Sequence, residues 1–310
     1  MRLKTWSFLA ALTLMALSLS AYGYDTVDVK NGATIKGVIR GASPADEVIN
    51  VTEDEAVCGK TITSDKYAIS DSKVKNVVVF VTDVKKGMAV PKKNVELTMD
   101  KCKVTPHVSI GFLGGEYVIK NNDPILHTVQ LKLGLAYQKE ASTRPLVDGS
   151  TILNLAFPTQ GMELKKPILD FHKFTKETGY IRVKSNSHPW MRGIVFVFDH
   201  PYASVSNDKG EYEITGLMPG KYTLKFWHEG LGEVEKTVVV SEGETKTLDV
   251  DLSDKSKTQV DTNTHAGPKI QFKDSVYNFG TIKQGKSVKH TFKFENTGTD
   301  VLVIKDVVPA

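Results

Sequence analysis

The sequence predicts an all-β protein, and two observations carry that prediction. Valine, threonine, tyrosine and phenylalanine recur in short alternating stretches, whereas long leucine and alanine periodicities are missing after the first twenty residues. Turn residues separate these stretches, as in Asn-Asn-Asp-Pro at 121–124 and Asn-Ser-His-Pro at 186–189. Short strands at this spacing are typical of a β-sandwich, so helix is expected to be a minor component.

The candidate strands of the first part of the chain share alternating apolar side chains and flanking turn residues. They are 33–40, 76–82, 115–120, 128–133, 179–184 and 193–199. Together they predict one sandwich domain over 24–199.

Two shorter units are expected after the first sandwich. Hairpins with explicit turn residues fill 200–252, and this small unit is expected to lean on its neighbour because a segment of this length is marginal as an independent core. A polar, charged stretch at 253–267 is predicted to be a linker. Strand-like runs return at 268–310, but about 40 residues fall short of the roughly 100 of an immunoglobulin-like sandwich, so this unit is expected to be partial.

Length and charge narrow the class of protein. At 310 residues the chain suits two or three domains of about 100 to 150 residues. The net charge of +4 arises from 40 basic and 36 acidic residues spread along the whole length, without an arginine cluster or a lysine run. This pattern argues against a nucleic-acid partner.

The N-terminal 1–23 have the pattern of an export signal. Arg2 and Lys4 precede an apolar stretch at 6–19 that is short for a bilayer span, and small residues at 21 and 23 suit cleavage before Tyr24. No later apolar stretch is long enough to anchor the chain. We therefore expect a periplasmic or secreted protein without a transmembrane anchor after signal removal.

Export gives the two cysteines a default state. Because the destination is oxidising, a disulfide between Cys58 and Cys102 is expected, and it would stabilise the fold by roughly 4 kcal/mol through loop closure. The alternative is that each thiol serves as a separate metal ligand.

Two motifs of the first domain carry a resemblance. Asn-Asn-Asp-Pro-Ile-Leu-His at 121–127 and Ser-Asn-Ser-His-Pro-Trp-Met at 185–191 resemble the ligand segments of the cupredoxin family. The resemblance covers about 33–199 and implies a copper site in which His127, His188 and the thioether of Met191 are ligands. The family's cysteine position falls on Ser185, so ordinary blue-copper electron transfer is not expected.

His107 is a further candidate ligand. It lies in a Cys-to-Pro-His pattern at 102–107 that recurs in similar envelope cupredoxin-like proteins, and it would complete a three-histidine or His-His-Met site. Imidazole with a thioether favours copper, especially Cu(I).

Both motifs also have a structural interpretation. His107 would then cap a strand and form local hydrogen bonds. In the same interpretation 188–191 form a rigid turn, in which Trp190 and Met191 fill the end of the core.

The later units have resemblances of their own. Asn-Asp-Lys-Gly at 207–210, Met-Pro-Gly at 218–220 and Trp-His-Glu at 227–229 are similar to a carboxypeptidase regulatory-like domain. That family is a small prealbumin-like sandwich related to carbohydrate-binding modules, which implies a structural or binding role. Tyr-Asn-Phe-Gly-Thr-Ile at 277–282 and Phe-Lys-Phe-Glu-Asn-Thr-Gly at 292–298 resemble the start of a Hydin-like immunoglobulin-type domain.

The sequence favours a non-enzymatic role. It contains no Gly-rich phosphate loop, no serine nucleophile elbow and no His-Glu-x-x-His motif. The first functional hypothesis is copper binding at a site without cysteine, for copper handling or redox. The alternative is a metal-free envelope protein that binds a protein or glycan partner through its β-domains.

Overall fold

The structure, a computed structural model, describes residues 23–42, 47–134, 150–175, 179–253, 270–273, 277–281, 283 and 285–297. The chain divides into two compact units, Met1–Ser253 and Asp254–Ala310. The predicted export signal, apart from residue 23, and the predicted linker beyond residue 253 lie outside the described residues.

The described elements are nearly all strands, which confirms the all-β prediction. The first are β1 Asp25–Thr26, β2 Ala33–Arg40, β3 Val48–Asn50, β4 Thr61–Thr63, β5 Ile69–Ser70, β6 Lys73–Val74, β7 Val78–Val81 and β8 Lys86–Gly87. Next are β9 Val95–Asp100, β10 Lys103–Thr105, β11 Val108–Phe112, β12 Glu116–Asn121, β13 His127–Leu133, β14 Thr151–Phe157, β15 Glu163–Pro167, β16 Ile181–Lys184 and β17 Arg192–Phe198. The last are β18 Ala203–Val205, β19 Glu211–Leu217, β20 Gly220–His228, β21 Gly232–Val240, β22 Thr245–Thr247, β23 Val250–Asp251, β24 Ile270–Phe272 and β25 Phe294–Asn296. Helical turns are short: α1 Glu55–Cys58 and the 3-10 turns Asp65–Tyr67 and Asp170–His172.

The first sandwich consists of two sheets. One has the strand order β10-β9-β12-β15, and the other has the order β11-β17-β16-β13-β14. In β13 buried and half-buried side chains alternate strictly, because successive side chains point to opposite faces of a sheet. The inward-facing set forms the core between the sheets and includes Tyr117, Leu131, Phe157 and Val183.

The second sandwich includes strands from the start of the chain. Its sheets have the orders β18-β7-β20-β21 and β19-β2-β6-β5, and β22 and β23 also pair with β2. Its core includes Ile35 of β2 and Val79 of β7, together with Leu224 and Phe226 of β20.

The predicted boundary at residue 200 therefore does not coincide with the strand pairing. β2 and β7 lie inside the predicted first domain, yet they pair with β19 and β20. A period-two pattern identifies a strand but not its partner, and the 200–252 segment alone is too small to close a core.

The two sandwiches share one apolar layer. Val78 and Phe80 point away from the second core because they alternate with Val79, and they pack against Ile194, Phe196 and Phe198 of β17. The rings of Phe80 and Phe198 have centroids 5.1 Å apart. The outer face of the first sandwich is thus partly covered by the second.

The cysteine prediction is confirmed: Cys58 and Cys102 form a disulfide. The bridge joins the end of α1 to the hairpin turn between β9 and β10.

In the unit that follows residue 253, β24 and β25 pair antiparallel, with Ile270 opposite Asn296. The described part of the chain contains no helix with the length and apolar character that a bilayer crossing requires.

Candidate metal site

The turn before β13 is fixed by the side chain of Asn121. Its amide donates to the carbonyls of Ile125 and Phe157 at 2.9 and 3.2 Å, and its Oδ1 accepts from the backbone N of Asp123 at 2.9 Å. Asn favours such turns because its side chain bonds to backbone groups nearby. The turn places His127 at the first position of β13, with its ring inside the sandwich.

The loop at 185–191 is pinned at both ends. Lys184 and Arg192 are paired across its base. Ser185 Oγ accepts from the backbone N of His188 at 3.2 Å, and Thr128 Oγ1 accepts from the backbone N of Asn186 at 2.8 Å. The ring of His188 is thereby held inward and fully buried.

The structure brings the two histidines together, as the loop resemblance implies. Nδ1 of His127 lies 2.9 Å from Nδ1 of His188, and the ring planes cross at 66°. Both side chains have 0% exposure.

Each ring contacts a carboxylate through its other nitrogen. His127 Nε2 lies 2.8 Å from Asp123 Oδ2, and His188 Nε2 lies 2.9 Å from Asp54 Oδ2. Histidines that bind metals commonly donate their second nitrogen to a carboxylate, which fixes the ring and raises its basicity. The four side chains form a continuous row from Asp123 through the two rings to Asp54.

Asp123 is itself held by a tight hairpin turn. Lys101 and Cys102 both have positive φ, as in the two-residue turns that fit a twisted hairpin. Their backbone N–H groups donate to Asp123 Oδ1 and Oδ2 at 2.7 and 2.8 Å. The carboxylate thus links the turn to His127.

Counting hydrogens along the row shows what the site lacks. An ionised carboxylate only accepts, and a neutral imidazole carries one N–H. The row contains three contacts, and each needs one hydrogen. They join Asp123 to His127, His127 to His188, and His188 to Asp54. Two neutral rings supply only two hydrogens. With both Nε2 atoms donating to carboxylates, two Nδ1 lone pairs face each other, and either a proton or a metal cation satisfies them.

Electrostatics disfavour the proton. Burial lowers the pKa of His127 below its usual 6.5, and the charge of His188 adds to that shift, although the hydrogen bond with Asp123 opposes it. A neutral His127 keeps a lone pair available as a metal ligand. The donor set therefore fits a copper ion bound by imidazole, but it lacks the thiolate of a blue-copper centre.

The hydroxyl of Ser185 is already engaged in hydrogen bonds. Its hydroxyl contacts Thr128 Oγ1 at 3.2 Å and Ser187 Oγ at 3.1 Å, besides accepting from His188. The hydroxyl thus serves the loop's hydrogen-bond network.

Met191 and Trp190 both reach the first core. Met191 is 1% exposed, and its backbone N donates to the carbonyl of His188 at 2.9 Å. Trp190 packs against the same core, and its Nε1 donates to the carbonyl of Cys102 at 3.2 Å. These positions agree with the structural interpretation of the loop, in which both side chains fill the end of the core.

His107 is engaged elsewhere. Its Nδ1 lies 3.2 Å from the carbonyl O of Arg192, and its Nε2 lies 2.7 Å from Glu229 Oε2 in the second sandwich. Both ring nitrogens have protein partners outside the His127–His188 pair. Burial opposes ionisation of Glu229, but the contact with His107 together with the charges of Lys66 and His228 outweighs burial, so the pKa of Glu229 is lowered.

The sequence did not identify the two carboxylates. Asp123 had a local signal, since it lies four residues before His127 in a turn. Asp54 had none, because 134 residues separate it from His188.

A second group of potential ligand atoms includes a ring nitrogen of His127. Cys102 Sγ, a carboxylate oxygen of Asp123 and a ring nitrogen of His127 lie within 4.8 Å of one another, and all three residues are buried. In the disulfide, Cys102 is not a thiolate, and the thiolate is the form that binds metals.

A cleft of about 410 Å³ lies beside the histidine loop. Its walls include Trp190, Met191 and Arg192 of the loop region, together with Lys66 and the His107–Glu229 pair. This volume lies within the range of small-ligand sites, roughly 300 to 1,000 Å³.

Comparison with known families assigns two segments. Residues 179–253 match the carboxypeptidase regulatory-like domain, which confirms that resemblance. Residues 270–310 match a family described as a protein of unknown function, DUF1573. The Hydin-like assignment of this region stays a prediction.

Two solved structures are similar in part. A copper-containing nitrite reductase from Thermus scotoductus SA-01 is 15% identical with a TM-score of 0.24, over 39% of this chain and 25% of the reductase chain. Amicyanin from Paracoccus versutus is 22% identical with a TM-score of 0.24, over 38% of this chain and 96% of amicyanin. No curated protein matches the chain. The interpretation of the site therefore depends on its own geometry.

Proposed function

We propose that this chain is an exported, non-enzymatic copper-binding protein whose ligands include the Nδ1 atoms of His127 and His188. One observation carries the proposal: two buried Nδ1 atoms face each other at 2.9 Å while both Nε2 atoms contact carboxylates. A cation bound by both Nδ1 atoms satisfies both lone pairs, and the carboxylates offset its charge.

The donor type favours copper. Imidazole suits zinc, copper, iron and nickel, whereas thioether ligands select Cu(I). Met191 is the thioether of the same loop, three residues after His188, and it is buried. The predicted ligand set is therefore His127, His188 and Met191, with Cu(I) as the preferred state.

The missing thiolate separates copper handling from electron transfer. A blue-copper centre depends on two histidines and a cysteine thiolate. The hydroxyl of Ser185 is occupied by hydrogen bonds to the loop and to Thr128. We therefore propose storage or transfer of copper as the role.

Export is supported by two features of the chain. The Cys58–Cys102 disulfide suits an oxidising compartment. The N-terminal sequence has the charge and apolar pattern of a signal. A periplasmic or secreted location is accordingly part of the proposal.

Copper titration of the full chain with its disulfide intact tests the proposal. Cu(I) is delivered with a competing chelator, and one equivalent is expected to bind. His188→Ala is expected to abolish binding. His107→Ala is the matched control, since His107 contacts Arg192 and Glu229 instead, and it is expected to keep full affinity.

Two results would refute copper binding at the pair. One is the absence of stoichiometric binding of either Cu(I) or Cu(II). The other is unchanged binding in His188→Ala, which would move the ligands elsewhere.

A second candidate function is binding of a glycan or protein partner without metal. The cleft beside Trp190 favours it, because the cleft combines an aromatic wall with polar and charged groups. A glycan array with the metal-free chain tests it, and Lys66→Ala, which changes a lining residue of the cleft, is expected to lower any signal. An array without a signal in the metal-free chain would count against this candidate.

A further inference from the structure

The disulfide connects the segments that position the two carboxylates of the histidine row. Cys58 ends α1, and Asp54 is the residue immediately before that helix. On the other side, the backbone N of Cys102 donates to the Asp123 oxygen that contacts His127. The bond from Cys58 to Cys102 thus ties the segment carrying Asp54 to the hairpin turn whose N–H groups donate to Asp123.

The same disulfide keeps one potential ligand unavailable. Cys102 Sγ lies within 4.8 Å of a ligand atom of Asp123 and of a ring nitrogen of His127. The three residues are 0%, 5% and 0% exposed in the order Cys102, Asp123, His127. One thiolate, one carboxylate and one imidazole are together a set that binds Zn²⁺, with a fourth position left open.

We propose that reduction of the Cys58–Cys102 bond creates a second metal site, formed by Cys102, Asp123 and Nε2 of His127, for a thiophilic divalent ion such as Zn²⁺. The reductant is a dithiol. It transfers two electrons and two protons to the disulfide and becomes a disulfide itself, leaving two protein thiols. Binding of the ion then displaces the proton of the Cys102 thiol.

The two sites exclude each other through the tautomer of His127. A neutral imidazole has one N–H, so a metal on Nε2 leaves the hydrogen on Nδ1. Nδ1 then donates to His188 Nδ1, 2.9 Å away, and the pair no longer presents two lone pairs. The oxidised protein therefore favours copper between the rings, and the reduced protein favours zinc at Cys102. This inference rests on the proposed function and extends it, because it uses the other nitrogen of the same imidazole ring.

α1 supplies a route to the buried cluster. Apart from the disulfide, α1 contacts the row through Asp54, whose side chain is 46% exposed and which accepts from His188. Reduction removes the covalent tie between α1 and Cys102. In this proposal the freed helical turn shifts to admit the ion.

A matched pair of variants tests the proposal in the full chain. Cys58→Ser and Cys102→Ser both remove the disulfide, but only Cys58→Ser leaves a thiol at the cluster. Zn²⁺ affinity is measured by competition with a chelator, and Co²⁺ is used separately to record the thiolate-to-metal absorption band. The wild type is measured oxidised and after reduction with a phosphine that is then removed.

Reduced wild type and Cys58→Ser are expected to bind one Zn²⁺ and to show the cobalt–thiolate band. Oxidised wild type and Cys102→Ser are expected to bind at least about 100-fold more weakly, because loss of a ligand exceeds the 10- to 100-fold effect of losing an outer-shell partner. Circular dichroism confirms that the sheets persist in each sample.

Three results would overturn the proposal. Equal Zn²⁺ affinity in oxidised and reduced wild type is one, and equal affinity in the two variants is another. Unfolding of the chain upon reduction is the third, since the site exists only in the folded cluster. Failure here is distinguishable from failure of the copper proposal, which is tested with oxidised protein and His188→Ala.

Discussion

Asp54 Oδ2 lies 2.9 Å from Nε2 of His188, although 134 residues separate the two in sequence. Removing this carboxylate in Asp54→Ala is expected to weaken copper binding about 10- to 100-fold, because an outer-shell carboxylate orients its histidine and raises its basicity. Chelator competition measures the change. Asp65→Ala is the control, since Asp65 pairs with Lys103; an equal loss in both variants would contradict a specific role for Asp54.

Ser185→Cys is expected to restore a thiolate next to His188, whose backbone N already contacts the Ser185 side chain at 3.2 Å. Cu(II) added to this variant is expected to give strong visible absorption, which is characteristic of copper bound by two histidines and a thiolate. Ser187→Cys, in the same hydroxyl cluster, is the matched control. Colour in the control alone, or in neither variant, would count against a preformed pocket.

Phe196 lies in the apolar layer between the sandwiches, 4.8 Å from Phe174 and 5.0 Å from Trp227 between ring centroids. Phe196→Ala is expected to lower the free energy of unfolding by about 3 to 5 kcal/mol, because it opens a cavity in a fully buried layer. Denaturant titration measures the loss. Val239→Ala, at a 60% exposed position, is expected to change stability by less than about 0.5 kcal/mol.

Burial of His200 makes the free energy of unfolding depend on pH. Burial lowers its pKa from 6.5 to about 4, and Asp199 only partly opposes the shift. Between pH 6.5 and 4, His200 is therefore protonated in the unfolded state but neutral in the folded state. Its contribution to the free energy of unfolding is complete above pH 6.5 and decreases as the pH falls towards 4. The loss from this residue is at most about 3 kcal/mol.

The variant His200→Asn isolates that contribution. Nδ1 of His200 accepts from the backbone N of Tyr202 at 3.2 Å, and the Asn oxygen is able to replace this acceptor without titrating. Unfolding free energies at pH 7 and pH 5 are compared. The variant is expected to lose less stability over this interval than the wild type, and an equal loss would assign the sensitivity to other groups. His172 and His228 also have pKa values lowered to about 4 by burial.

Local patterns in the sequence predicted the strands, and the presence of two cysteines in an exported chain predicted the disulfide. The approach of His127 to His188, 61 residues apart, was implied by the resemblance of their two segments to cupredoxin ligand loops. The division into domains was different, because β2 finds its partners at 211–217 and 245–251, about 170 residues or more away. Period-two alternation contains no information on such pairing.

Prediction of the site from the sequence was limited in the same way, because its contacts join distant segments. Asp123 belongs to a turn that the sequence marks clearly, but its role depends on the positive-φ turn at Lys101 and Cys102. Asp54 contacts His188 across 134 residues of sequence, and the Cys58–Cys102 disulfide at the end of α1 ties its segment to the first sandwich. His107 shows the converse: its Pro-His motif was visible, whereas its partner Glu229 belongs to the other sandwich.

The position of β2 constrains the order in which a growing or translocating chain acquires structure. Both sheets of the first sandwich are complete once residue 198 has emerged, since their strands run from β9 to β17. β2 must wait longer, because its neighbours β19, β22 and β23 all follow residue 210 in the chain. Until those strands emerge, most of β2 lacks its native partners, and unpaired strand edges of this kind favour non-native pairing during folding.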